Sequence, residues 1–472
     1  MQTAIVAAVA GRPLITARRR AAAAFAVAAA ALSLAAASPL AAGAAESPGW
    51  TTWGNSPVRQ SRASASLLTT KNGDHLRLAW SRPIGGAGAA QPLYLRRVLV
   101  AGERRDIYVT ASEEGRVSAF DARTGKVLWK EQQIQTAEGS GRSLYSGTVP
   151  LQLTRSGSTY QLKDPTRGNT YTTDLNNKED SLLCQLLGAG CKAGTLYTSP
   201  DASFGTGSVS SRESAAVDAQ YGTNMTWDFY RSTYGRNGIF GDGSGSYNRV
   251  HYGKGYVNAF WDGTKMTYGD GDGTSYGPLV SLDVAGHEMS HGVTEHSADL
   301  TYEGESGGLN EATSDIFGTM VEFFAANPDD VGDYLIGEEF DLAHHAGFRR
   351  MDNPASDGDS LNCWSSSAGD VDVHYSSGIG NHFFYLVAEG SGAKTLNGVS
   401  YNSPTCNGST VSGIGRDDAA RIWYRALTVY MTSGTDYHGA RTASLDAARD
   451  LFGAGSVQYN AVATAWSAVG VS

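Results

Sequence analysis

"HEMSHGVTEHSADLTYEGESGGLNEATSD", residues 287–315, sets two histidines four apart and a glutamate twenty residues beyond the second. Positions i and i+4 of a helix lie one above the other, so His287 and His291 can share one cation. No proline interrupts "SLDVAGHEMSHGVTEH", residues 281–296, which therefore reads as one helix. Zinc accepts such nitrogen donors, and a catalytic zinc takes three protein ligands and keeps one position open. His296 stands five residues past His291, about 500° around the helix, and so faces elsewhere. The metzincin extension also fails, because Thr294 and Ser297 occupy its glycine and histidine positions.

The third ligand is expected further on. "GGLNEATSDIFGTMVEFF", residues 307–324, has a helical apolar period entered through paired glycines. Ile316, Phe317, Met320, Val321 and Phe324 supply its buried face, with Glu311 and Asp315 four apart near its start. Carboxylates on a mostly apolar helix are costly to bury unless they are paired or ligate a metal. Glu311 is therefore the candidate third ligand. Asp315 suits the carboxylate that holds a ligating histidine by its other nitrogen.

The stretch resembles the zinc signature of the thermolysin-like neutral metalloproteases. The likeness extends through "SLYSGTVPL" (143–151), "NAFWDGTKMTYGDGDG" (258–273) and "DVDVHYSSGIGNHFFYLVAEG" (370–390) to "YNAVATAWSAVG" (459–470). It implies an α+β fold with two lobes. A β-rich lobe over 138–300 would end in the zinc helix, and an α-rich lobe would follow over 301–472. The implied activity is endopeptidase cleavage of protein and peptide substrates. Zinc would sit on His287, His291 and Glu311, with Glu288 as base and Tyr302 and His374 as oxyanion donors. Asn310 and Asp315 would support the ligating histidines. Which of Asp370 and Asp372 orients His374 is open, because both are offset from the family's more usual spacing.

The resemblance also implies substrate contacts at Asn258, the Ala259 carbonyl and Arg349. Val284, Ile336 and Phe348 would wall an apolar pocket, favouring cleavage on the amino side of Leu or Phe. Calcium is implied at Asp283, Glu322, Asp333, Glu338 and the Leu335 carbonyl, since hard oxygen donors suit that ion. Asp-Gly pairs in "GDGDGTS", residues 269–275, lack EF-hand spacing and read as turns.

The remainder of the chain bounds this reading. Arg18, Arg19 and Arg20 precede "AAAAFAVAAAALSLAAA" and then small residues, an export signal over 1–45; the arginines leave a twin-arginine route open. No other stretch approaches the ~20 apolar residues of a spanning helix, so a secreted, extracellular enzyme free of the membrane after processing is expected. A monomer is expected as well. Four cysteines suit an oxidising compartment. The short separation of Cys184 and Cys191 favours their pairing, leaving Cys363 with Cys406; no spacing is C-x-x-C. Residues 48–135 carry a net charge of +6 and residues 136–472 one of −19, which suggests a boundary near 136 and argues against nucleic acid.

Before that boundary, short alternating runs give a four-strand pattern. "EEGRVSAFDARTGKVLWK", residues 113–130, resembles a blade of the quinoprotein-type β-propellers. A propeller closes only with about four to eight blades, so 46–137 reads as a pro-region rather than a quinone site. The competing functions are a quinone-dependent oxidoreductase and an inactive zinc-binding protein.

Overall fold

A computed structural model describes residues 77–84, 91–112, 115–132 and 135–472. The export signal expected over 1–45 lies outside the described residues. The chain divides into two compact units, one ending at Gln135 and the other running from Thr136 to Ser472.

In the first unit, Leu93–Val100, Glu103–Ala111, Arg116–Asp121 and Val127–Gln132 form an antiparallel sheet in chain order. Ile107, Val109, Val117 and Ala119 alternate onto one buried face, as a period of two requires. Trp80 stacks on Phe120 and donates from Nε1 to the Ala122 carbonyl. Such a meander recurs in many β folds and does not single out a propeller blade.

The second unit begins with two sheets. In the first, Gln135–Arg142 lies between Thr148–Ser156 and Ser203–Phe204, with Thr159–Gln161 and Thr198–Ser199 beyond. In the second, Thr170–Lys178, Tyr247–Tyr252, Met266–Gly269 and Ala259–Trp261 follow in that order, leaving Ala259–Trp261 at an edge. Asp272 accepts from the backbone N–H groups of Thr274, Ser275 and Tyr276, so the "GDGDGTS" segment is a turn, as expected.

The helices are α1 (Leu182–Leu187), α2 (Arg212–Tyr234), α3 (Leu282–Glu295), α4 (Gly304–Ala325), α5 (Val373–Ser376), α6 (Gly378–Ala388), α7 (Arg416–Arg425), α8 (Tyr437–Phe452) and α9 (Val457–Ala468). One continuous core joins the sheets to the helices, with Phe229, Val293, Phe317, Trp423 and Trp466 all buried in it. Disulfides link Cys184 to Cys191, across the end of α1, and Cys363 to Cys406.

Two local expectations need correction. Phe324 is 40% exposed rather than buried; at the end of α4 its ring meets that of Phe229 at 61°. The helix also starts at Gly304, three residues before the paired glycines. Those glycines serve packing instead: a Cβ on Gly307 would lie 2.4 Å from Val373, and one on Gly308 2.5 Å from the Ser376 hydroxyl. They let α5, which carries His374, dock against α4.

A candidate metallopeptidase site

Helices α3 and α4 approach closely at another glycine pair. A Cβ on Gly318 would lie 2.4 Å from the Asp283 carbonyl, and one on Gly286 would lie 2.9 Å from the Gly318 Cα. This contact sets the polar stripe Asp283, His287, His291 against Glu311, Asp315 and Glu322.

The hydrogen bonds fix how the histidines are held. Asn310 Nδ2 donates to the Leu300 carbonyl at 2.9 Å, so its Oδ1 is an acceptor and receives the proton of His291 Nδ1 at 2.7 Å. Asp315 accepts likewise from His287 Nδ1 at 2.8 Å. Both Nε2 atoms therefore turn into the gap, 3.0 Å from each other and each 3.5 Å from a Glu311 carboxylate oxygen. Glu311 is 1% exposed, and its Oε2 has no hydrogen-bond partner.

A proton alone serves this group poorly. Burial disfavours charge on both imidazoles; Asp315 and Glu311 nevertheless lift His287 to about 9, while burial prevails at His291 and lowers it to about 4. Two nitrogens and a carboxylate, with one donor atom from each lying within 4.8 Å of the others, match the donor set of a divalent zinc site. Asp315 also binds the Arg349 guanidinium at 2.8 and 2.7 Å and Asn381 at 2.7 Å. Burial would raise its carboxyl, but Arg349 and His287 hold it well below the usual carboxylate range.

Three further groups face the same space. Glu288 is 5% exposed, burial raises it to about 7, and its Oε2 has no partner. The Tyr302 hydroxyl donates to Glu311 and lies 3.3 Å from His374 Nε2. Burial and the Glu311 charge push that phenol far up, so it keeps its proton. His374 Nδ1 lies 2.7 Å from Asp372 Oδ1, which also accepts the His374 backbone N–H at 2.9 Å. Asp372, rather than Asp370, is thus the carboxylate beside His374. The same carboxylate also caps α5.

Glu288, His287, His291, Glu311, Tyr302 and His374 line one cleft with Asn258, Ala259 and Arg349. Val284, Ile336 and Phe348 form its apolar wall together with Leu279 and Phe340, which sequence reasoning had not named. His296 is not part of the metal group; its Nδ1 bonds the Gly292 carbonyl and its ring meets Phe240 edge-on.

A second donor cluster lies further along the same helices. One carboxylate oxygen each from Glu322, Asp330 and Glu338 lies within 4.8 Å of the others, all three residues are buried, and each has an oxygen without a partner. Such crowding fits a hard cation. Asp283 accepts from the Gly337 N–H at 2.6 Å; Asp333 accepts from the Leu335 N–H at 2.6 Å and donates its own N–H to Glu322 at 2.9 Å. Asp330 was missed in the sequence because five acids crowd "PDDVGDYLIGEE", and only the fold sorts buried Asp330 from exposed Asp329. A further group, Asp180 with Cys184 and Cys191, is no metal site because both sulfurs are in the disulfide.

Comparison with known proteins bears on these features. Residues 138–295 match "Thermolysin metallopeptidase, catalytic domain", and residues 298–471 match "Thermolysin metallopeptidase, alpha-helical domain". The chain is 53% identical to the transglutaminase-activating metalloprotease of Streptomyces mobaraensis over 354 residues, 74% of this chain and 44% of that protein. It is 40% identical to a bacillolysin of Brevibacillus brevis over 366 residues, 76% of this chain and 62% of that protein. A thermostable neutral protease of Geobacillus stearothermophilus is 36% identical over 426 residues, 85% of this chain and 70% of that protein. The chain thus spans less than two thirds of the first two relatives. Both family matches begin after the four-stranded sheet, so the propeller likeness finds no support, nor does a quinone-dependent oxidoreductase. The matches meet between 295 and 298, where α3 ends, and run on together almost to the last residue; the chain belongs to the thermolysin metallopeptidase family.

Proposed function

We propose that the chain is a zinc-dependent endopeptidase that cuts protein and peptide substrates on the amino side of large hydrophobic residues. The observation that carries this reading is the largely buried group of His287, His291 and Glu311 opening on a cleft beside Glu288. Zinc, when held by those three residues, supplies a Lewis acid that polarises the scissile carbonyl and makes water acidic enough to give up a proton near neutrality.

Glu288 takes a proton from the attacking water as its oxygen adds to the carbonyl carbon. It returns that proton to the nitrogen as the carbon–nitrogen bond breaks. Tyr302 and His374 donate hydrogen bonds to the carbonyl oxygen as charge develops there. Asn310 and Asp315 hold the ligating imidazoles by their Nδ1 protons. Asn258 and the Ala259 carbonyl, at the edge strand, pair with an extended substrate backbone. Arg349, anchored on Asp315, grips a substrate carbonyl beyond the cut.

Calcium held by Asp283, Glu322, Asp330, Asp333, Glu338 and the Leu335 carbonyl serves stability. Residues 1–45 act as an export signal and 46–137 as a pro-region. The working form is a monomer outside the cell, free of the membrane and of nucleic acid. Among the described residues, no helix is long and apolar enough to cross a membrane.

The test is casein hydrolysis by the purified chain, with and without a zinc-selective chelator. Hydrolysis that stops on chelation and returns with zinc is expected; chelator-resistant hydrolysis overturns the reading.

A further inference from the structure

The cleft continues past the metal-binding residues, and its far end has a charge that catalysis does not use. Helix α3 serves as a ruler. Val284, on the apolar wall, comes first, His287 and His291 follow, and Glu295 closes the last turn. The wall lies at the first end, since the Gly337 N–H, next to Ile336, bonds Asp283 in the first turn of α3. At 1.5 Å per residue, Glu295 stands about 9 Å beyond the midpoint of the histidine pair, on the side away from that wall.

Glu295 and Asp299 both line the cleft there and both are exposed. The Asp299 N–H bonds back to the Thr294 carbonyl at 2.8 Å, which folds it over the end of the helix. Its φ of 52° is in the left-handed region, which aspartate and asparagine enter more readily than most side chains. A helix C-terminus attracts cations and repels carboxylates, so two acids at this end work against the local helix. Among the described residues, neither carboxylate forms an ion pair. Trp261 completes the surface; it lines the cleft and donates from Nε1 to Glu295 Oε2 at 2.7 Å.

An aromatic ring beside two unbalanced carboxylates is suited to a lysine or arginine side chain, whose stem covers the ring while its head meets the acids. An extended peptide advances about 3.3 Å per residue, so about 9 Å is two to three residues from the cut. Side chains two apart share a face. If the residue after the cut enters the apolar pocket, the second residue before the cut faces the same floor.

We propose that Glu295, Asp299 and Trp261 form a subsite selecting lysine or arginine as the second residue on the amino side of the cut. This rests on the endopeptidase reading and refines it. The subsite would restrict the enzyme to exposed, basic stretches that precede a large hydrophobic residue.

The test uses three peptides alike except at that position, which holds lysine, norleucine or glutamate, with leucine after the cut. In the native chain kcat/KM should rank lysine above norleucine by about threefold to tenfold, with glutamate below both. About 1 M salt should compress that ranking toward unity, because exposed pairs are screened. In Glu295→Gln with Asp299→Asn the lysine-to-norleucine ratio should fall to about one. Asparagine tolerates the left-handed backbone at 299, and glutamine still accepts from Trp261. Equal rates for the three peptides in the native chain, or a ratio unaltered by salt, overturn the subsite while leaving the endopeptidase intact. If no peptide is cut, both readings fall.

Discussion

Asp283, His287 and His291 rise along one side of α3 at four-residue intervals, facing Glu311, Asp315, Gly318 and Glu322 on α4. Glu311 and Glu322 are eleven residues apart, about three turns, so they share a face. One helix seam thus contributes to two donor clusters, the second completed by Asp330 and Glu338 from the loop that follows. At one end imidazoles dominate and a cleft opens beside them; at the other every side-chain donor is a carboxylate and all are buried. Nitrogen donors with an open side suit catalysis by zinc, while a closed oxygen cage suits a structural ion. Donor type and access divide the two tasks.

The largest effect should come from Glu288→Gln. The three metal donors stay and only the proton carrier goes, so kcat should fall by about 10²- to 10⁴-fold with zinc content unchanged. Near-native turnover in the zinc-loaded variant would remove Glu288 from the mechanism. The seam itself should break in Gly318→Ala, whose methyl group would meet backbone from Asp283 and His287 at 2.4 and 3.1 Å. Backbone cannot swing aside, so we expect a loss of about 3 kcal/mol or more in urea unfolding and weaker binding of both metals. A variant as stable as the native chain would show that the two helices can separate cheaply.

Calcium removal should separate the two clusters through pH. Burial and mutual repulsion push Glu322 and Glu338 well above the usual range, Asp330 to about 6 and Asp333 to about 7. A carboxyl raised on folding binds its proton more tightly in the folded chain. Its contribution is therefore intact below the unfolded value of about 4 and is lost as pH climbs through about 6 to 7. Without calcium, the melting temperature should fall from about pH 5 to about pH 8, and added calcium should restore more at the higher pH. At any one pH the zinc-retaining chain should have nearly the same initial rate with and without calcium. Equal restoration at both pH values would mean that these carboxylates do not cage an ion.

The two clusters also differed in how far the sequence revealed them. His287, Glu288 and His291 were legible because local helix geometry alone brings them together, and Glu311 because a carboxylate pair on a mostly apolar helix demands a partner or a metal. The cage draws on α3, α4 and a loop, and no local period reports which of the loop's acids turn inward. Asp330 was lost there for that reason. Phe324 was misjudged by the same limit, since a helix period gives the direction of a side chain but not where the packing ends. The two-lobed fold was legible through motifs spread over the chain rather than through any element boundary. The four strands before 136 were legible as strands, while their likeness to a propeller blade rested on a pattern that many meanders share.

The smallest effect concerns Asp372, whose offset from the family spacing left its role open. It carries two loads at once, the cap of α5 and the bond to His374 Nδ1. The pair is exposed, with 48% of the His374 side chain and 59% of that of Asp372 open to solvent, so water screens its charge. Asparagine caps a helix about as well as aspartate, and Asp372→Asn should leave α5 in place. It removes only the charge that favours the orientation and donor strength of His374. We expect kcat to fall by about threefold to tenfold with KM within about twofold, as for an interaction made mainly in the transition state. Asp372→Ala loses the cap as well and should lower both kcat and the melting temperature. If Asp372→Asn matches the native chain in kcat and only Asp372→Ala falls, in kcat and in melting, then Asp372 is only a cap.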